Sequence, residues 1–123
     1  MNSLYEIEQA KLLEVFMNTD EQLTKHDLAD ELIRSGRSSL NEMLPPHNAV
    51  RAHMVSLSRQ FYTYGLVCFE REYRRDIGLS YYKLTDDAKL FIETFLSHPI
   101  WDEDGNPNGI EYIIPKNLRR DEA

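Results

Sequence analysis

Phe61-Tyr62-Thr63-Tyr64-Gly65-Leu66-Val67-Cys68-Phe69-Glu70-Arg71-Glu72-Tyr73 is the stretch where the chain changes its periodicity. Before Gly65, Val50, Met54, Leu57, Phe61 and Tyr64 recur at spacings of four, three, four and three. That is one buried seam of a helix running from about His47 to Tyr64. Gly65 ends the helix, because glycine accepts the left-handed backbone of a C-cap without a steric cost. After it, Leu66 to Tyr73 are β-rich and alternate in part, and they carry charges that no doubly buried strand would hold. Arg75-Asp76-Ile77-Gly78 is a turn, and Leu79 to Leu84 a second strand. The pair predicts a hairpin.

Working outward, Thr85 caps a fourth helix from Asp86 to about Leu96, with two acids in its first turn and Ala88, Phe91, Ile92, Phe95 and Leu96 as its apolar face. Upstream, Pro45-Pro46 opens the third helix, since proline is tolerated in a first turn. A second helix runs from its N-cap Thr24 to about Arg34, with Asp27 placed as the acid of a capping box and Leu28, Ala29, Leu32 and Ile33 apolar. Ser35-Gly36 stops it. A first helix covers residues 3–17, capped by Asn2 or Ser3, with Leu4, Ile7, Leu12, Leu13, Phe16 and Met17 as a broad stripe. After His98-Pro99 the pattern turns irregular. Asp102 to Gly109 is a turn-rich loop, Ile110 to Ile114 a short strand stopped by Pro115, and Lys116 to Ala123 a frayed tail. The expected fold is α+β and mostly α, with residues 1–98 as the domain and 99–123 as a C-terminal extension.

Three helices, a two-stranded hairpin and a closing helix match a winged helix-turn-helix. The run Gly65-Leu66-Val67, the basic stretch Arg71 to Arg75, and the step Leu84-Thr85-Asp86-Asp87-Ala88 resemble bacterial winged-helix regulators of the MarR and PadR families. There a third helix ends in Gly-Leu-Val, a basic wing follows, and a Leu-Thr step opens the next helix. The resemblance spans roughly residues 4–96. It implies a sequence-specific DNA-binding transcriptional regulator that acts as a homodimer, with the first helix and the segment after residue 86 supplying the dimer contacts. The chain departs from a tight helix-turn-helix in one respect. About ten residues, Arg37 to Pro46, replace the usual turn of about 3–4, with a helical turn expected at Leu40 to Leu44.

The net charge of −7 speaks against nucleic acid until it is divided along the chain. Residues 1–33 hold eight acids and two bases, residues 76–123 ten acids and five bases, but residues 34–75 hold three acids and seven arginines. An acidic chain with one basic segment has a candidate electrostatic footprint. Chance clustering on a solvated face is the competing explanation. With the seam buried, a turn of about 100° per residue exposes Asn48, Ala52, Val55, Arg59 and Tyr62, with Arg51 on the flank. Asn and Arg suit bidentate contacts with adenine and guanine edges, and small apolar side chains suit thymine methyls. Arg74 and Arg75 lie by the wing tip, within reach of flanking phosphates, and Arg37 adds a cation from the insert. The candidate DNA-binding residues are therefore Asn48, Arg51, Arg59, Arg74, Arg75 and Arg37. The competing reading is a winged helix that binds protein rather than DNA, in which Ala52, Val55 and Tyr62 face a partner.

Other sites fare poorly. Asp102 to Gly109 has calcium-loop spacing from Asp104, but the twelfth position is Pro115 rather than a bidentate Glu. His26, His47, His53 and His98 lack zinc-type spacing. Cys68 is the sole cysteine, so no internal disulfide forms, and its default role is a small buried hydrophobe. No phosphate loop or nucleophile elbow is present, so the expectation is no enzyme, no cofactor and no metal. No apolar run approaches the roughly 20 residues of a membrane span, and the first residues lack the basic start and apolar stretch of a secretory signal. Together with the lone cysteine, this leads to an expectation of the cytoplasm.

Overall fold

A computed structural model describes residues 4–34 and 45–115. Its order is α1 (Leu4–Met17), α2 (Lys25–Arg34), α3 (Pro46–Tyr62), β1 (Phe69–Arg74), β2 (Leu79–Leu84), α4 (Asp86–Phe91), β3 (Ser97–Trp101) and β4 (Pro107–Tyr112). The fold is α+β, with four helices and two antiparallel two-stranded sheets, β1–β2 and β3–β4, among the described residues.

Local chemistry sets the helix ends. The Thr24 N–H donates to Asp27 Oδ2 at 2.9 Å, and the Asp27 N–H donates to Thr24 Oγ1 at 3.2 Å. This is the expected reciprocal capping box at the start of α2. Pro46 occupies the first turn of α3. That helix ends at Tyr62, two residues earlier than expected. Gly65 then takes φ +75°, its N–H donates to the Tyr62 carbonyl at 2.9 Å, and the Leu66 N–H donates to the Phe61 carbonyl at 3.1 Å. This pair of bonds is a Schellman motif, and it satisfies two carbonyls that the helix end leaves open. At α4, Thr85 Oγ1 accepts from the Ala88 N–H at 3.1 Å.

The predicted seam of α3 is buried: Val50, Met54, Leu57 and Phe61 join Leu12, Leu13 and Phe16 of α1 and Leu28 and Leu32 of α2 in one core. Leu84, Ala88, Ile92 and Leu96 close it from the far side. Phe91 packs against both Phe61 and Tyr64, with ring centroids 5.7 and 5.0 Å apart. Three expected core residues are not in it. Ile7, Ile33 and Phe95 are each more than half exposed, because the stripes that reach the core are narrower than the apolar residues available. Glu8 and Gln9 occupy buried positions on α1 instead.

The hairpin β1–β2 turns at residues 75–78, as predicted, but β1 begins at Phe69 rather than Leu66. Residues 66–68 are the extended link leaving the Schellman turn. The register pairs Phe69 with Leu84, Arg71 with Tyr82 and Tyr73 with Ser80. Outside the hairpin, Leu23 adds one rung to β2. The Leu23 N–H donates to the Tyr82 carbonyl and the Tyr82 N–H to the Leu23 carbonyl, each at 2.7 Å.

Residues after Leu84 differ most from expectation. The α-helix stops at Phe91, and Ile92–Leu96 form a wider π turn. Residues 97–101, where the pattern was expected to turn irregular after His98-Pro99, form β3. The strand expected at 110–114 is instead Pro107–Tyr112, paired with β3 across a register shift near Pro99 and Trp101. Tyr112 and Ile114 belong to the same buried cluster as α1. Between the strands, Asp102 Oδ1 accepts from the N–H groups of Asp104 and Asn106 at 2.9 and 2.8 Å. The carboxylate therefore organises its own turn. The helical turn expected at 40–44, the caps at Asn2 and Ser3, the Leu4 side chain and the tail 116–123 lie outside the described residues.

Candidate nucleic-acid interface

The side of α3 opposite the core is open. Asn48, Arg51, Ala52, Val55, Arg59 and Tyr62 are all exposed, as the helical spacing predicts. Val55 at 44% and Tyr62 at 77% leave substantial apolar surface beside the polar groups. A shallow groove along this side is lined by Asn48, Arg51, Ala52, Val55, Ser56, Arg59 and Gln60.

A second cleft lies between α3 and the β1–β2 hairpin. Met54, Val55 and Phe69 give it apolar lining; Lys25, Arg51, Arg59 and Arg71 bring four cations to it, with Ser58 and Tyr82 beside them. Strand alternation sorts the charges of β1. Side chains on successive residues point to opposite faces, so Arg71 shares the face of Phe69, while Glu70, Glu72 and Arg74 share the other. On that other face the acids have partners: Glu70 lies 3.7 Å from Lys83 Nζ, and Glu72 Oε1 accepts from Arg74 Nε at 3.1 Å. Among the described residues, no Asp or Glu side chain lines the cleft. Arg51, Arg59 and Arg71 form no ion pair with a described residue.

The sequence-predicted residues divide accordingly. Asn48, Arg51 and Arg59 stand together on the open side of α3. Arg75 is exposed in the hairpin turn. Arg74 is folded back: besides its bond to Glu72, its Nη2 donates to Gln22 Oε1 at 3.1 Å, and its guanidinium lies 4.1 Å from the Tyr81 ring centroid. Gln22 Nε2 in turn donates to Glu72 at 3.2 Å. The hydrogen bond from Gln22 first, then that from Arg74, with the Arg74 charge the lesser influence, hold the Glu72 carboxyl below its ordinary range. Arg37 lies outside the described residues.

Sequence reasoning did not place Lys25 or Arg71 in the site. The parity of β1 could have indicated Arg71, but Lys25 reaches the cleft only through packing of α2 on α3. The histidines also look different in three dimensions. His26 and His47 meet edge to face, centroids 4.5 Å apart, where α2 and α3 begin. Burial first, then His26 and Lys25, push the His47 imidazole below its ordinary value. His53 is fully buried on the core side of α3 and bonds to Glu8 of α1. Among the described residues, no three His, Cys, Asp or Glu side chains converge as metal ligands. Cys68 is buried, and burial pushes its thiol far up, which leaves it a poor nucleophile. No helix among the described residues is long and apolar enough to cross a membrane.

Searches among protein-family models, curated proteins and solved structures gave no match for this chain.

Proposed function

We propose that this chain is a winged-helix transcriptional regulator that binds double-stranded DNA as a homodimer in the cytoplasm, without catalytic activity. In this reading α3 is the recognition helix, β1–β2 is the wing, and the Leu23 rung joins the α1–α2 connection to the wing. The observation that carries the proposal is the sorted surface of α3. One side is core, and the other presents Asn48, Arg51, Ala52, Val55 and Arg59 in the open next to a cleft lined with cations and, among the described residues, no carboxylate. A helix of 17 residues is ample for a major groove about 12 Å wide. Arg75 at the hairpin turn supplies the flanking phosphate contact. The acidic remainder of the chain disfavours non-specific binding, so affinity depends on the right site.

A gel-shift series with genomic duplex fragments at low and moderate salt tests this. Retarded complexes that weaken as salt rises are expected. Absence of any complex at low salt, or binding indifferent to removal of Arg51, Arg59 and Arg75, would leave the protein-binding winged helix as the account. The exposure of Val55 and Tyr62 favours that second reading.

A further inference from the structure

We infer that the cleft between α3 and β1 is a phosphate-binding site, in which Lys25 and Arg71 hold one phosphodiester of a nucleic-acid backbone against Arg51 and Arg59. The choice of a phosphodiester as ligand rests on the DNA-binding reading; the anion site itself rests on the cleft.

Four cations from three separate elements converge there: Lys25 from the first turn of α2, Arg51 and Arg59 from α3, and Arg71 from β1. Gathering like charges in one concavity costs free energy unless an anion enters it. In a chain of net charge −7, carboxylates are plentiful enough to have neutralised such a cluster. Among the described residues, none lines the cleft. The acids nearest in sequence, Glu70 and Glu72, are turned to the opposite face of β1 and are held there by Lys83, Arg74 and Gln22. Arg71 stays without an ion-pair partner among the described residues on the inner face. Its guanidinium has the planar fork that suits two oxygens of a phosphate. Ser58 and Tyr82 line the same cleft, and each carries a hydroxyl that can donate. The apolar lining of Met54, Val55 and Phe69 lowers the local dielectric, which strengthens the attraction. The cleft adjoins the exposed groove of α3, with Arg51, Val55 and Arg59 common to both. A backbone phosphate seated here would therefore fix how α3 lies against the bases.

The test uses the full chain, with inorganic phosphate and a duplex as separate probes. Titration with phosphate, followed by amide chemical shifts, should give saturable changes confined to Lys25, Arg51, Ser58, Arg59 and Arg71. Lys25→Gln and Arg71→Gln should each weaken phosphate binding by about threefold to tenfold. Lys83→Gln, an equal change in net charge on the outer face of the hairpin, should leave it unchanged and serves as the control for folding and bulk charge. In duplex binding, each cleft variant should reduce the salt dependence by about one unit. Diffuse or non-saturable shifts, or an equal loss in Lys83→Gln, would overturn the site. Duplex binding whose salt dependence ignores Lys25 and Arg71 would overturn it while leaving the DNA reading intact. Localised phosphate binding without duplex binding would keep the site and remove that reading.

Discussion

His53 Nε2 and Glu8 Oε1 form a hydrogen-bonded pair inside the protein, joining α3 to α1 where neither side chain reaches solvent. The pair sits directly behind the open face of α3, between Ala52 and Met54. Removing one partner takes a buried hydrogen bond from the other, at a cost of about 1–3 kcal/mol, whereas replacing both with apolar groups of similar volume can be nearly neutral. Glu8→Leu and His53→Leu should each lower stability by that amount in chemical denaturation, and the double variant by much less. Additive losses would show that the two side chains act separately.

Leu57 lies at the centre of the α3 seam and is fully buried. Leu57→Ala should cost about 2–5 kcal/mol, the sum of lost transfer energy and an unfilled cavity. A loss under about 0.5 kcal/mol in urea unfolding would be incompatible with the packing described.

If α3 reads DNA, the exposed polar residues differ in kind. Asn48→Ala should relax sequence preference, at about 1–3 kcal/mol per lost base contact, while Arg59→Ala, whose side chain borders both the open groove and the cleft, should also weaken all sequences. Arg75→Ala should instead weaken all sequences alike. Arg74→Ala should do so less, because its guanidinium is already engaged by Glu72, Gln22 and Tyr81. Competitive binding of matched and scrambled duplexes separates these effects.

The homodimer expected from the winged-helix reading is checked by sedimentation at micromolar concentration. A mass near twice 14.5 kDa is expected. Exposed Ile7 on α1 and exposed Leu90, Phe95, Ile100, Trp101 and Ile110 after residue 86 are the surfaces to mutate. A single species of monomer mass would remove the symmetric two-half-site arrangement.

His47 gives a pH signature. Its folded-state value is lowered by burial, His26 and Lys25, so the folded chain binds this proton less readily than the unfolded chain, whose imidazole titrates near about 6.5. The resulting stability is present above that ordinary value and declines as pH falls through the lower, folded value. NMR titration should place the His47 midpoint below the ordinary histidine range. His26→Asn should raise it part of the way, since burial, the larger cause, remains.

What could be read from the residues was what local chemistry decides. Thr24 with Asp27, Pro46, and Thr85 with Ala88 each act over three or four positions and begin an element where expected; Gly65 reverses the chain as expected, although α3 stops two residues before Tyr64. The α3 seam was legible because five apolar residues keep strict helical spacing. Long-range pairing was not. In the β3–β4 hairpin the turn and the later part of β4 were legible, but β3 and the start of β4 were not, because Pro99, Pro107 and Gly109 and an exposed surface leave neither propensity nor alternation to mark them. His53 carries no local sign that Glu8, 45 positions away, will meet it. Ile7, Ile33 and Phe95 show the converse, apolar residues at plausible positions that packing leaves outside. In the candidate site, the open face of α3 was legible from its periodicity. The cleft was not, because Lys25 and Arg71 come from elements brought together only in the tertiary structure.

The rung between Leu23 and Tyr82 bears on how this protein meets whatever enters its cleft. A ribbon anchored only at its base must be immobilised when a partner arrives, and that lost freedom is subtracted from affinity. Here a third backbone segment, with Gln22 bonded to both Glu72 and Arg74, braces the ribbon before any encounter. The gap between α3 and β1 is therefore braced like a calliper: if the cleft takes a partner as proposed, width is gauged before any side chain examines chemistry.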